Sequence, residues 1–309
     1  MKMSRLLRSS LWLLPAALVL SLAPRVIARA ADTKTVFVSF LDEKGAPVTN
    51  LQEGEIALGE DGVVREIVSA KLSTQPISLL LLADTTKVAG GGGVDQKKSA
   101  ESAGDMIHDI RAAFAALSAQ ILGARPESEI SLMEFGQASI TIQPYTSSLD
   151  ALNKSFTKLV SKPDADSVLL EAITEGAKDL AKRKNIRRAM VSINVEPGNE
   201  LSKEPPKTIL NELLNARSPL FSVALQKGDL KNPTRGAAMP VLTKTTGGRY
   251  DFIVGQSALV DIVKLYGNIM LSQYEITYTR PPGPTPQRLM IGHTRPEKLQ
   301  ILATVAPPK

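Results

Sequence analysis

Six apolar runs of strand length alternate with segments of helical periodicity between residues 76 and 272, and no other feature constrains the fold as strongly. The runs lie at residues 77–84, 129–135, 138–143, 189–195, 220–225 and 249–254. Continuous apolar runs are typical of strands buried on both faces, and intervening helices favour a mostly parallel sheet covered on both sides. We therefore predict an α/β fold for this region.

The connection between the second and third runs is too short for a parallel crossover. Only Gly136 and Gln137 separate them, whereas parallel neighbours need a connection of about a dozen residues. These two runs should form a hairpin, so that one strand is antiparallel to the rest. The predicted helix before them, residues 94–122, carries an apolar stripe at helical spacing that should face the core. The stripe comprises Met106, Ile107, Ile110, Phe114, Leu117 and Ile121.

Both flanks of the α/β region have the alternating pattern of short β-strands. Candidate strands precede it around residues 36–41, 47–51, 55–58 and 64–71, and follow it at 274–278, 287–291 and 298–305. Seven short strands are the usual number for a small β-sandwich. We therefore predict one β-sandwich made from residues 31–75 and 273–309, with an α/β domain at residues 76–272 inserted in it.

The first 30 residues have the pattern of an export signal. Lys2, Arg5 and Arg8 precede an apolar run at residues 11–23, and Ala28-Arg29-Ala30 is a small-x-small cleavage site. A helix over that run would reach roughly 20 Å, which is short of the roughly 30 Å of a bilayer core. We expect a signal peptide at residues 1–30, and a mature protein that is secreted or periplasmic and has no membrane span.

Charge and composition exclude several classes of function. The net charge is +6, but five basic and no acidic residues lie in the first 30 positions, which leaves 32 basic against 31 acidic residues. The mature chain therefore lacks the basic excess of a nucleic-acid-binding protein. The absence of cysteine excludes thiol catalysis, disulfides and zinc-thiolate sites. Because the chain has only two histidines and lacks a G-x-S-x-G motif, we expect that it is not an enzyme.

Three stretches carry a resemblance to a known family. Residues 37–71 resemble the leader of bacterial VWFA-related proteins, which are abundant in Acidobacteria. ISLLLLADTTK, residues 77–87, resembles the first strand and metal loop of a von Willebrand factor type A domain, and LTKTTGGRYDFI, residues 242–253, resembles the segment before its last strand. The resemblance implies a Rossmann-like sheet of six strands with one antiparallel edge strand, and an adhesion-type, protein-binding function. The matching leader positions are Asp42, Gly45, Pro47, Val48, Leu51, Glu60, Asp61, Gly62 and Ile67.

The same resemblance implies a metal site, because type A domains generally hold a divalent cation at the carboxyl edge of the sheet. Asp84 and Thr86 match ligands of the first loop, and Ser167 matches the hydroxyl of the second. Val88 and Val195 stand where the family has a hydroxyl and an acid. A valine side chain cannot bind a cation, so the implied site is degenerate.

Three carboxylates could replace the lost ligands of Mg²⁺ or Mn²⁺ if the loops shift: Glu196, Asp164 and Asp166. In the alternative, no cation binds. Asp84 then caps a strand end, Thr86 bonds within its own loop, and Ser167 is the N-cap of a helix that starts at Val168. We expect no cofactor, because a single firm carboxylate seldom holds a divalent ion.

Two further motifs allow more than one interpretation. The glycines at residues 90–93 lack the G-K-[ST] ending of a phosphate-binding loop and are expected to be a connector near the ligand face. The densest basic run can complement a helix C-terminus or form a patch for an acidic partner. It comprises Lys182, Arg183, Lys184, Arg187 and Arg188.

These features predict a module that binds a protein partner through its top loops, residues 84–93, 162–167 and 194–204, without the usual metal. The alternative is a structural component of a cell-envelope assembly that associates through β-sandwich edges. The residues expected to contact the partner are Asp84, Thr85, Thr86, Asp166, Ser167 and Glu196.

Overall fold

The computed structural model describes residues 32–86, 96–162, 166–196, 199–226, 232–253 and 256–306. The predicted signal peptide, the glycines at 90–93, Val88 and Asp164 lie outside these residues. The strands are β1 (Asp32–Leu41), β2 (Ile56–Glu60), β3 (Val63–Val64), β4 (Ile67–Leu72), β5 (Ile77–Asp84), β6 (Glu129–Phe135), β7 (Ser139–Thr146), β8 (Arg187–Glu196), β9 (Leu220–Gln226), β10 (Arg249–Ile253), β11 (Tyr274–Arg280), β12 (Leu289–His293) and β13 (Gln300–Leu302). The α-helices are α1 (Gln96–Ala124), α2 (Leu149–Phe156), α3 (Leu169–Ala181), α4 (Pro206–Ala216), α5 (Pro233–Thr246) and α6 (Leu259–Leu271).

Six strands form the central sheet in the order β10-β9-β8-β5-β6-β7. Neighbours from β10 to β6 are parallel, whereas β7 at one edge is antiparallel to β6. The mostly parallel sheet and its hairpin are therefore confirmed. The connection has three residues, Gly136 to Ala138, because β7 begins one residue later than predicted. It dictates this edge, since no crossover fits into it.

The central strand β5 shows how the sequence builds this core. All eight of its residues are buried, and successive side chains point to opposite faces. Leu79 and Leu81 belong to one apolar cluster together with α1 and α6, whereas Leu80 and Leu82 belong to a second cluster together with α3, α4 and α5. The helices thus cover both faces, as the continuous apolar run predicts.

The flanks form two smaller sheets, of order β13-β1-β11-β4 and β12-β2-β3, each of which combines strands from both flanks. Apolar side chains of β1, β2, β11 and β12 share one cluster. The strand predicted at residues 47–51 is wrong, because Pro47 makes only an isolated bridge to Leu41. Proline lacks the N–H that a ladder needs, and Asp42 holds the preceding turn through bonds from the amides of Lys44 and Ala46.

A buried carboxylate joins the two small sheets. Glu60, at the end of β2, accepts hydrogen bonds from Tyr278 Oη at 2.5 Å and Arg280 Nε at 3.0 Å, both on β11. Arg65 Nε also donates to it, at 3.1 Å. Because Glu60 has no solvent contact, these donors replace the water that an ionised carboxylate otherwise requires.

Among the described residues, no helix combines the length and hydropathy that crossing a membrane requires.

Candidate functional site

The carboxyl ends of β5 and β8 lie side by side in the sheet, and a buried acid stands at this edge. Asp84 Oδ1 accepts from the amide of Thr86 at 2.9 Å and from its hydroxyl at 2.6 Å. Asp84 Oδ2 accepts from the amide of Val195 at 2.9 Å. The bond of Thr86 within its own loop, expected for the alternative without a cation, is therefore present. Val195, whose side chain cannot bind a cation, donates its backbone amide to Asp84.

An arginine from the following helix lies among the acids of this edge. Arg235 is in the first turn of α5, where the side chain of the N-cap residue Asn232 accepts from its amide at 3.0 Å. Its Nε lies 2.7 Å from Glu200 Oε2. Its Nη1 lies 3.3 Å from Glu196 Oε1 and 3.6 Å from Asp84 Oδ2. One fully buried guanidinium therefore pairs with three carboxylates.

Burial and charge oppose each other in this cluster. Burial raises the pKa of Asp84, while Arg235 and the bonds from Thr86 and Val195 act to lower it. For Arg235 burial acts to lower the pKa, but Asp84, Glu200 and Glu196 together raise it. The guanidinium therefore stays charged, and the acids supply the counter-charge that a buried cation needs.

This arrangement does not fit a divalent cation. Both oxygens of Asp84 are hydrogen-bonded, and Arg235 already supplies the positive charge between Asp84, Glu196 and Glu200. Within the described ranges, no group of three or more His, Asp or Glu side chains is arranged to hold a metal ion. The expectation that Asp84, Thr86 and Ser167 hold no cation stays a prediction, which titration with Mg²⁺ or Mn²⁺ tests.

Ser167 connects two of the predicted top loops through its backbone. Its amide donates to Asn199 O and its carbonyl accepts from the amide of Leu201, both at 2.7 Å. Helix α3 begins at Leu169 and has Val168 as its N-cap, so the expected capping by Ser167 is wrong. Its buried hydroxyl has no hydrogen-bond partner among the residues that the structure describes.

Five of the six residues predicted to contact a partner are buried. Asp84, Thr85, Thr86, Ser167 and Glu196 are all buried. As placed here, these side chains shape the loops and do not reach a partner. Asp166 is partly exposed and accepts from Asn199 Nδ2 at 2.7 Å. Leu201, which was not singled out from the sequence, is 47% exposed, and its amide donates to the carbonyl of Ser167.

Two central residues of the cluster, Arg235 and Glu200, were not predicted individually. The sequence holds one signal for the arginine: Asn232 and Pro233 mark a helix start, which places Arg235 in the first turn. A cation is unfavourable there because of the helix dipole. An arginine at such a position therefore indicates a nearby acid that compensates for it.

No family model and no curated protein sequence matches the chain. Among solved structures, it is similar to proximal thread matrix protein 1 of the mussel byssus, with 11% identity and a TM-score of 0.50 over 66% of this chain and 50% of that one. The match thus spans half of the mussel protein. The neighbours also include the SpRpn10 VWA domain (13% identity, 61% of this chain, 94% of that one, TM-score 0.42) and BatB from Bacteroides thetaiotaomicron (10%, 62%, 98%, 0.43). These likenesses concern the fold alone, and the observed sheet is consistent with the von Willebrand factor type A-like fold that the resemblance implies.

Proposed function

We propose that this chain is a secreted, non-enzymatic, adhesion-type module that binds a protein partner through its top loops and needs no metal ion. The observation that carries the proposal is the buried guanidinium of Arg235 between the carboxylates of Asp84, Glu196 and Glu200. An internal cation of this kind supplies positive charge to the same acids that a divalent ion would otherwise bind.

The cluster also fixes the loop that faces outward. Glu200 binds Arg235 through Oε2 and accepts from the amide of Ser202 at 3.3 Å through Oε1. Leu201 lies between these two residues, and its own amide is bonded to Ser167 O. Since its backbone is held on both sides, its exposed side chain projects from an ordered segment. Binding to a prearranged surface loses less conformational entropy than binding to a mobile one.

The chemistry of this surface suits a protein partner. An exposed apolar side chain surrounded by polar groups has the composition of a small interface core with its rim. Leu201 supplies the apolar part, and Asp166 and Asn199, next to the residues that its backbone contacts, supply hydrogen-bonding groups.

Photo-crosslinking tests the proposal on the intact protein. A benzoylphenylalanine replaces Leu201 (47% exposed) in one variant and Val241, a somewhat more exposed residue of α5 (57%), in the control. We expect cells that secrete the protein to yield a specific adduct from position 201 alone, with the same yield in EDTA as in Mg²⁺. A yield that EDTA abolishes, or equal adducts from both positions, contradicts the proposal.

The second candidate, a structural component of an envelope assembly, is favoured by a separate observation. The edge strands β3 and β4 carry exposed valines, Val63 and Val64 on the former and Val68 on the latter. Unpaired strand edges with exposed apolar residues are sites of strand-to-strand association. Sedimentation that depends on protein concentration in the wild type, and not in the V64K/V68K variant, would support this candidate over the first.

The predicted domain organisation belongs to the same proposal. We propose that residues 31–75 and 273–309 form one β-sandwich in which residues 76–272 are inserted. The apolar cluster shared by the two small sheets supports this organisation. So does Glu60, which bonds from one sheet to Tyr278 and Arg280 of the other.

A further inference from the structure

A cavity of about 830 Å³ lies at the amino ends of the parallel strands, at the edge of the sheet opposite Asp84. Arg187 and Arg188, at the start of β8, line one side, and Arg217, directly after α4, extends it. Residues 33–37 of β1 line another side. This volume lies in the range of cavities that bind ligands.

The charged side chains that line this cavity are all basic. Its lining contains Lys34, Arg187, Arg188 and Arg217, and among the described residues that line it there is no Asp or Glu. Lys34 is paired with Asp32, which lies outside the lining, at 2.8 Å. Arg187 is only 2% exposed, yet its guanidinium bonds to neutral oxygens, namely Gln75 O at 2.7 Å, Gln273 Oε1 at 3.2 Å and Met270 O. Its Nε has no hydrogen-bond partner within the described part of the chain.

Neighbouring arginines make the burial of the Arg187 and Arg188 charges less favourable. Burial, and then the charge of Arg125, lower the pKa of Arg187 to about 10, although the charge of Glu275 acts to raise it. Burial, and then Arg217, also lower the pKa of Arg188. An anion held between these groups would relieve both the desolvation and the repulsion.

The strand beside the cavity has a free edge. On one side β1 pairs with β11 from Asp32 to Val38, whereas on the other side β13 pairs only with residues 39–41. Among the described residues, nothing else pairs as a strand with residues 33–37 of β1. These five consecutive residues line the cavity, whereas the face of a strand would present only alternate residues. The cavity therefore runs along the edge of β1.

We propose that an extended acidic peptide segment binds in this cavity, as an added strand on residues 33–37 of β1. Its backbone pairs with the free edge, and its carboxylates contact the arginines of β8 and Arg217. Strand addition supplies affinity through main-chain bonds and specificity through side-chain contacts, and an arginine fork matches a carboxylate in geometry. This surface is independent of the proposed top-loop interface.

Fluorescence anisotropy with three labelled peptides tests the proposal on the mature protein. One peptide alternates valine and glutamate, and the second alternates valine and lysine. The third is the glutamate peptide with two consecutive prolines at its centre, and with a glutamate added at one end to keep the charge, so that one proline faces the edge in either register. We expect the first to bind at least about tenfold more tightly than the second, because charge-assisted bonds form only with carboxylates. The third should also bind about tenfold more weakly, because proline cannot donate to a strand edge.

Protein variants then locate the site. R188Q/R217N removes two charges, and asparagine tolerates the left-handed backbone of residue 217 (φ 51°). It should weaken binding of the glutamate peptide about tenfold. The control K182Q/K184Q removes two exposed charges outside the cavity and should leave binding unchanged. If R188Q/R217N does not fold, K34Q replaces it, with an expected loss of about threefold at this partly exposed position.

Three outcomes would overturn the proposal. The first is equal binding of the glutamate and lysine peptides. The second is an equal loss in the cavity variant and in the control. The third is equal binding of the proline peptide together with competition by citrate or inorganic phosphate, which would identify a pocket for small anions instead of a strand-binding edge.

Discussion

The Nε atom of Arg235 lies 2.7 Å from Oε2 of Glu200, and neither side chain has any contact with solvent. The arginine comes from the first turn of α5 and the glutamate from the loop after β8. The pair therefore joins two segments at the edge where Asp84 ends the central strand.

Removal of Arg235 should be costly. In R235A the acids Asp84, Glu196 and Glu200 lose their buried counter-charge, and the free energy of unfolding should fall by about 3–5 kcal/mol. Urea denaturation at neutral pH measures this. The matched control is R295A, whose partly exposed arginine pairs with Glu55 and should cost about 1 kcal/mol or less. Equal losses in the two variants would show that the buried cluster has no special role.

Divalent ions should separate the wild type from R235A. We expect millimolar Mn²⁺ to leave the melting temperature of the wild type unchanged, because the guanidinium already pairs with all three carboxylates of the cluster. In R235A the same ion should raise it, since carboxylates are good ligands for hard cations and binding to the native state stabilises it. Differential scanning calorimetry with and without EDTA checks both statements. A rise in the melting temperature of the wild type would contradict the proposal that the top loops need no metal ion.

Glu60 should make stability depend on pH. Burial acts to raise its pKa, but hydrogen bonds from Arg280 and Tyr278, with the charge of Arg280, bring it below its ordinary 4.5. A carboxyl whose pKa is lower in the folded state stabilises the fold above its unfolded pKa, and this contribution is lost as the pH falls through the folded value. E60Q should therefore lose about 1–3 kcal/mol at neutral pH, with the difference from wild type shrinking in acid. Denaturation at neutral pH and near pH 3 measures this, and a constant difference would contradict it.

Gly248 is required by close packing. A Cβ at this position would lie 1.9 Å from the carbonyl oxygen of Leu220, a backbone atom that cannot move aside. G248A should therefore destabilise the protein by at least about 1–3 kcal/mol, as overpacking does. Gly123, in α1, has open space around the corresponding position, so G123A should be neutral or stabilising. Thermal denaturation of both variants tests this prediction. If G248A is as stable as the wild type, β9 and β10 can separate enough to accommodate the added methyl group.

Processing after Ala30 has a simple optical signature. Trp12 is the only tryptophan of the chain and lies in the predicted signal peptide. The secreted protein should therefore begin at Ala31 and show tyrosine emission alone. N-terminal sequencing and a fluorescence spectrum test this, and tryptophan emission from the secreted protein would contradict it.

The central sheet was predictable because its signals are local. Two residues, Gly136 and Gln137, decide that β6 and β7 form a hairpin, and the apolar run of β5 decides that both faces of the sheet are covered. The small sheets were less predictable. The strand at residues 47–51 was a misinterpretation of short apolar spacing, and Pro47 instead follows a turn that Asp42 holds.

The candidate site was predictable only in part, because its chemistry arises between distant segments. Asp84 could be identified from its place at the end of β5. Its partner Arg235 lies about 150 residues further along the chain. No local sequence pattern indicates which acids this arginine contacts. Burial had the same limit: Thr86 follows β5 and Glu196 ends β8, and both are polar, yet both are buried in the folded chain.

A guanidinium that belongs to the chain cannot diffuse away. The top loops around Arg235 therefore have the same charge balance in a dilute medium, in a chelating host fluid and in seawater. An attachment surface built on this arrangement would work without sensing the supply of calcium or magnesium, and neither ion could serve as the signal for its release.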